Sequence, residues 1–164
     1  AKNGKYAEEV ASKIGLLKPK WRASFVVDTL TYLYRGGRCS GLAAMAGGAL
    51  KLHPKIVVED GVMRPTKKFR GKMDKVLLSY AKEMETDLKH ARPGRVFITH
   101  SGCEEATIDA VRAYLESLSV FDEIIVTRAG GVISSHCGPG TLGVLFLEKS
   151  RKYRGIFIFR ENGR

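Results

Sequence analysis

The spacing of apolar and polar positions divides the chain into short segments with two different periods. Residues 4–14 place Tyr6, Val10 and Ile14 at helical spacing, with Glu8, Glu9 and Lys13 largely on other faces and Gly15 set to end the helix. After the connector Lys18-Pro19-Lys20, the run Phe25-Val26-Val27 is β-prone, and Thr29 to Tyr34 predicts a helical turn closed by Gly36-Gly37. Residues 41–50 are small and apolar and predict a close-packed helix, weakened at Gly47 and Gly48 by about 1 kcal/mol each relative to alanine. Lys55 to Val58 and Val62 to Phe69 read as two strands joined across the hairpin signal Glu59-Asp60-Gly61.

Residues 72–90 predict the clearest helix, with Met73, Val76, Leu77, Tyr80, Met84 and Leu88 on one face and Arg92-Pro93-Gly94 as its stop. Val96-Phe97-Ile98 is the next strand. Ser101, three residues before Glu104, reads as a capping box for a helix over 102–118 with Ile108, Val111, Leu115 and Leu118 as its buried stripe. A strand at 122–128, the stretch AGGVISSHCGPGTLG (129–143), a strand at 142–148 and a basic-aromatic tail complete the chain, with Ile156 to Phe159 as a further edge strand. Strands separated sometimes by hairpins and sometimes by helices predict an α/β fold, a mixed and partly antiparallel sheet with helices packed on it. The Asp60-Gly61 hairpin argues against an all-parallel sheet.

Composition narrows the class. With 164 residues, 44% hydrophobic and 27% charged, the chain suits one folded domain, and it shows no internal repeat. No apolar run approaches the roughly 20 residues of a membrane span, and no signal-peptide core precedes Val26, so the cytoplasm is the expected compartment. Cys39, Cys103 and Cys137 cannot all pair, which suits a reducing environment. A balance of 28 basic against 17 acidic residues gives +11, which suits either an acidic or anionic partner or a solvated basic face. The charge is concentrated at Arg64, Lys67, Lys68, Arg70, Lys72 and Lys75 and again at Lys149, Arg151, Lys152 and Arg154.

Chemistry is offered first by the glycine-rich stretch. Five glycines and Pro139 surround His136, whose imidazolium form is a charge-assisted donor suited to a carboxylate; the alternative is a ring that bonds a nearby carbonyl and stabilises a turn. His100, Cys103, His136 and Cys137 are the right residue types for zinc but lack the recurring short spacing of zinc ligands, and a Cys/His nucleophile drawn from them has no third orienting group. Thr99 to Cys103 follows a strand and opens a helix, a place for an anion, but without the glycines and lysine of a phosphate loop. Arg151, Tyr153, Arg154, Phe157, Phe159 and Arg160 interleave as in a nucleic-acid-binding segment, with no recognised module behind them.

Five segments in order resemble the C-terminal half of the DegV family: Phe25 to Leu30 with Tyr32-Leu33; Gly36-Gly37-Arg38; Lys55 to Arg70; Ile98-Thr99-His100-Ser101; and His136 to Gly143, which matches an H-x-G-P-G-T-x-G pattern. The resemblance covers roughly residues 6–147. It implies a two-layer domain at 25–148, preceded by an interdomain helix and connector at 1–24 and followed by a tail at 149–164 with no counterpart in the family. It further implies a non-catalytic protein that needs no cofactor. Such a protein holds a long-chain fatty acid against an N-terminal domain this chain lacks, for a kinase related to dihydroxyacetone kinases. On that resemblance His136 and Arg38 meet the carboxylate, Ser135, Gly138 and Gly140 surround it, and Leu42, Met45, Ala46 and Leu50 line the acyl tunnel. The reading from a different class is a basic nucleic-acid-binding module; the resemblance implies no DNA. A third, a metal-dependent hydrolase, would require bound zinc.

Overall fold

A computed structural model of the chain describes residues 6–37 and 52–149. Among them six strands form one sheet: β1 (Trp21–Val26), β2 (Leu52–Glu59), β3 (Val62–Arg70), β4 (Ala91–Ser101), β5 (Glu123–Arg128) and β6 (Thr141–Glu148). The order is β3-β2-β1-β6-β4-β5; β4 and β5 run parallel and every other pair is antiparallel. The hairpin between β2 and β3 turns on Asp60 and Gly61, both at positive φ (51° and 76°), as a tight turn matched to strand twist requires. The parallel pair is bridged by the helix α5 (Glu105–Ser117), the crossover that parallel neighbours need. The expected α/β fold with a mixed sheet is the one observed.

Alternation along the strands assigns the two faces. Val26, Val96, Ile98, Leu142, Val144 and Phe146 face one way, into a core closed by α5, α3 (Met73–Glu83) and α4 (Glu85–Lys89). Tyr80 lies fully buried in it, and its hydroxyl donates to the Ser24 carbonyl (2.7 Å) while accepting from the Val144 N–H (3.0 Å). That hydroxyl therefore bridges the β1–β6 ladder from the helix above it. A smaller core on the other face gathers Val27, Leu30, Leu33, Ile56 and Cys137 beneath α2 (Thr31–Arg35) and α6 (Gly131–Cys137).

Several boundaries differ from those the sequence predicts. The first helix, α1 (Ala7–Leu17), continues through Gly15 and passes into a 3-10 turn at Lys18–Lys20, where Pro19 has no N–H to extend the α-helical ladder. The 72–90 helix breaks at Met84, whose N–H turns back to the Ala81 carbonyl at 3.3 Å. Met84 and Leu88 both stay buried across the break, so the four-residue spacing hides it. Arg92-Pro93-Gly94 lies inside β4, in an irregular stretch between Ala91, opposite Glu148, and Val96, opposite Phe146. The capping box does not form: Ser101 is held as the last residue of β4 opposite Thr141, and α5 starts at Glu105 with no side-chain cap. The sheet itself begins at Trp21, four residues inside the stretch assigned to the connector.

Candidate functional site

Beyond β5 the glycine-rich stretch is a short helix and a turn, not the open loop its composition suggests. Gly131 to Cys137 wind into α6, and Gly138 ends it at φ 80°, a conformation that excludes most side chains. The partner of α6 is α2, and the two are interlocked in both directions. A Cβ on Gly36, at the end of α2, would stand 2.2 Å from Cδ2 of His136 on α6. A Cβ on Gly138, at the end of α6, would stand 2.3 Å from Cδ2 of Tyr32 on α2. Each helix thus presents a ring to the glycine that ends the other, which brings Gly36-Gly37 and the H-x-G-P-G stretch into direct contact.

The ring of His136 is oriented by its own helix. Its Nδ1 stands 2.7 Å from the Val132 carbonyl, which only accepts, so Nδ1 carries the proton and donates. Ser135 Oγ lies 3.3 Å from the same nitrogen and donates to Val132 O at 2.9 Å. Nε2 is the nitrogen turned toward Gly36, 3.0 Å from where a Cβ there would be. In the imidazolium form Nε2–H would be the donor left for an anion. Ser135, His136 and Gly138 therefore sit together. Gly140, at φ 75°, lies in the following turn. The amides of Gly138 and Gly140 bond Ser134 O (2.9 Å) and Ser101 O (2.8 Å), so these glycines shape the site and do not donate to a ligand. Arg38, Leu42, Met45, Ala46 and Leu50 lie outside the described residues, as do the 41–50 helix and the tail from residue 150.

The other candidates separate from this place. His100 accepts the Cys103 N–H on Nδ1 (3.3 Å), a local turn bond at the head of the connection to α5 and not an open anion site. Burial, with the nearby Arg128 charge second, holds the His100 imidazole below its usual range. Burial also raises both thiols, Cys103 to about 11, so neither is a thiolate near neutral pH. No group of three metal-ligating side chains forms among the described residues. A cavity of about 850 Å³ lies at the other end of the sheet beside Trp21, Arg22, Lys55, Met84, Phe146 and Glu148. Charges of both signs line it, which suits neither an acyl chain nor a carboxylate.

A family model described as "Uncharacterised protein, DegV family" matches residues 1–149. The chain belongs to the DegV family. A Thermotoga maritima protein named "Fatty acid-binding protein" is 31% identical over 153 residues, 91% of this chain and 52% of the relative. The solved structure titled "Fatty Acid Binding of a DegV family Protein from Thermus thermophilus" superposes with a TM-score of 0.76 at 28% identity, over 90% of this chain and 52% of the other. DegV of Bacillus subtilis, titled a fatty acid binding protein, gives 0.70 at 29%, with the same coverage. This DegV chain spans about half the length of the curated relatives it matches.

His136 and Gly36 belong to separate motifs of the sequence; the DegV fold makes them one contact. Tyr32 and Asp28, beside Gly138 and Gly140 in the structure, carry no site role in the sequence pattern. The four-residue spacing of Tyr32 and Gly36, which puts both on one side of a short helix, was the available signal for the first.

Proposed function

We propose that this chain supplies one half of a binding site for a long-chain fatty acid. The observation that carries the reading is the interlock of α2 and α6, which turns His136 Nε2 toward Gly36, two residues before Arg38. A second cation next along the chain suits a carboxylate, and its charge-assisted bonds suit imidazolium and guanidinium donors. Leu42, Met45, Ala46 and Leu50 follow directly and supply the apolar residues an acyl chain requires. Relatives named or titled as fatty-acid-binding proteins support the same ligand. The protein binds and does not catalyse, needs no cofactor, and presents the carboxylate to a kinase related to dihydroxyacetone kinases; its basic surface speeds that encounter. The relatives' greater length supports a second domain completing the site.

The test is mass spectrometry of ligand released from the intact protein, followed by titration of oleate or palmitate into the emptied protein. We expect a bound fatty acid, and an affinity about tenfold or more weaker in His136→Gln, the size of a lost charge-assisted hydrogen bond. Intact protein that purifies empty and refuses both acids would end the proposal.

A further inference from the structure

His53 is an internal histidine that the site above does not use. It sits near the start of β2 with 4% of its surface exposed. Both ring nitrogens face oxygens that can only accept. Nε2 is 3.0 Å from the Gly71 carbonyl, and Nδ1 is 3.2 Å from both the carbonyl and the Oδ1 carboxylate oxygen of Asp28. A neutral imidazole has one N–H and one lone pair, so either tautomer would leave a buried lone pair pointed at an oxygen with no proton to share. Two donors satisfy both contacts, and only the imidazolium has two.

Asp28, from the connection between β1 and α2, is the anion in contact. Lys55, two residues along β2, is answered by Glu83 of α3 at 2.6 Å. Lys67 of β3 lies opposite Lys55, further off than Asp28. Arg70 and Lys72, flanking Gly71, and Asp74 in the first turn of α3 are all exposed to solvent. Solvent screens the exposed groups, which leaves Asp28 as the charge in direct contact with the ring.

Asp28 also reaches the site. Its Cβ lies 3.9 Å from where a Cβ on Gly140 would be, and α2, with Tyr32 and Gly36, begins three residues later. The residue before Asp28 is tied to the same strand as His53, with Val27 N–H bonded to Pro54 O at 3.4 Å. We propose that His53, as an imidazolium held between Gly71 and Asp28, is a positioning residue that fixes the start of α2 against the Gly138–Gly140 turn and so aligns the His136 site. Its consequence for ligand rests on the fatty-acid reading; its protonation and its hold on the turn do not.

The experiment is NMR of the intact protein with isotope-labelled histidine and glycine, in wild type, His53→Gln and Asp28→Asn, with circular dichroism confirming the fold. We expect an N–H on both ring nitrogens of His53 in the folded protein and a displaced Gly140 amide signal in His53→Gln. Asp28→Asn removes the charged partner of Nδ1 and displaces the same Gly140 signal. Affinity for a fluorescent fatty acid falls roughly three- to tenfold in His53→Gln. A neutral His53 tautomer in the folded protein, or a Gly140 signal indifferent to His53, overturns the proposal. A wild-type protein that binds no fatty acid overturns the ligand reading, and the NMR result still decides the role of His53.

Discussion

Gly36→Ala tests the interlock that builds the site. Gly36 has φ −76° and ψ −2°, which alanine adopts freely, so the substitution introduces no backbone strain. Taken alone it would stabilise by about 0.4–1 kcal/mol through the unfolded chain. Against this, the new methyl would stand 2.2 Å from His136 Cδ2 and 3.3 Å from Cγ, which no side-chain pair tolerates. The ring must swing away, losing the Nδ1 bond to Val132 O, worth about 1 kcal/mol, or the helices must part at the usual overpacking cost of about 1–3 kcal/mol. The balance is a net destabilisation of about 1–2 kcal/mol. Urea unfolding of wild type, Gly36→Ala, His136→Ala and the double variant measures it as a cycle. In the His136→Ala background the same methyl meets no ring, so Gly36→Ala becomes neutral or mildly stabilising. Equal effects in both backgrounds would refute the interlock. Gly138→Ala costs more than Gly36→Ala, since positive φ is added to the clash with Tyr32.

Three further outcomes follow from the core. Tyr80→Phe leaves the Val144 N–H and Ser24 carbonyl without their bridge and destabilises by about 2–3 kcal/mol in denaturant unfolding, more than one ordinary hydrogen bond. Glu83→Gln strands the buried Lys55 ammonium, whereas Lys55→Met removes it; calorimetry ranks Glu83→Gln as the more destabilising, and the reverse order would discredit the ion-pair argument. Burial lifts the Cys103 thiol to about 11, so its thiolate is scarce at neutral pH and grows as pH rises toward that value. Peptide-resolved alkylation at about pH 8 should therefore run on the order of a hundredfold slower at Cys103 than at an ordinary free cysteine.

The secondary structure was legible wherever burial and period coincide. The stripe Ile108, Val111, Leu115 and the hairpin at Asp60-Gly61 appear where the pattern puts them. Element ends were less legible, because tertiary contacts set them. Ser101 looks like a helix cap but is claimed by its pairing with Thr141, and the Met84 break preserves the spacing that would reveal it. His136 stands out in the sequence by residue type, but the helix that carries it does not. Its ring orientation depends on a helical bond to Val132 four residues back, which a glycine-rich composition conceals.

By itself the sequence determined the kind of fold, the order of its elements and the residues suited to an anion, since periodicity, turn chemistry and side-chain type are local properties. Tertiary structure alone decided that Gly36 and Gly138 are sockets for each other's helix, and that a histidine from β2 reaches Asp28 and Gly71 from two different connections. Those relations join residues 18 to 106 positions apart, and they exist only once burial of the two cores has folded the sheet and closed α2 onto α6.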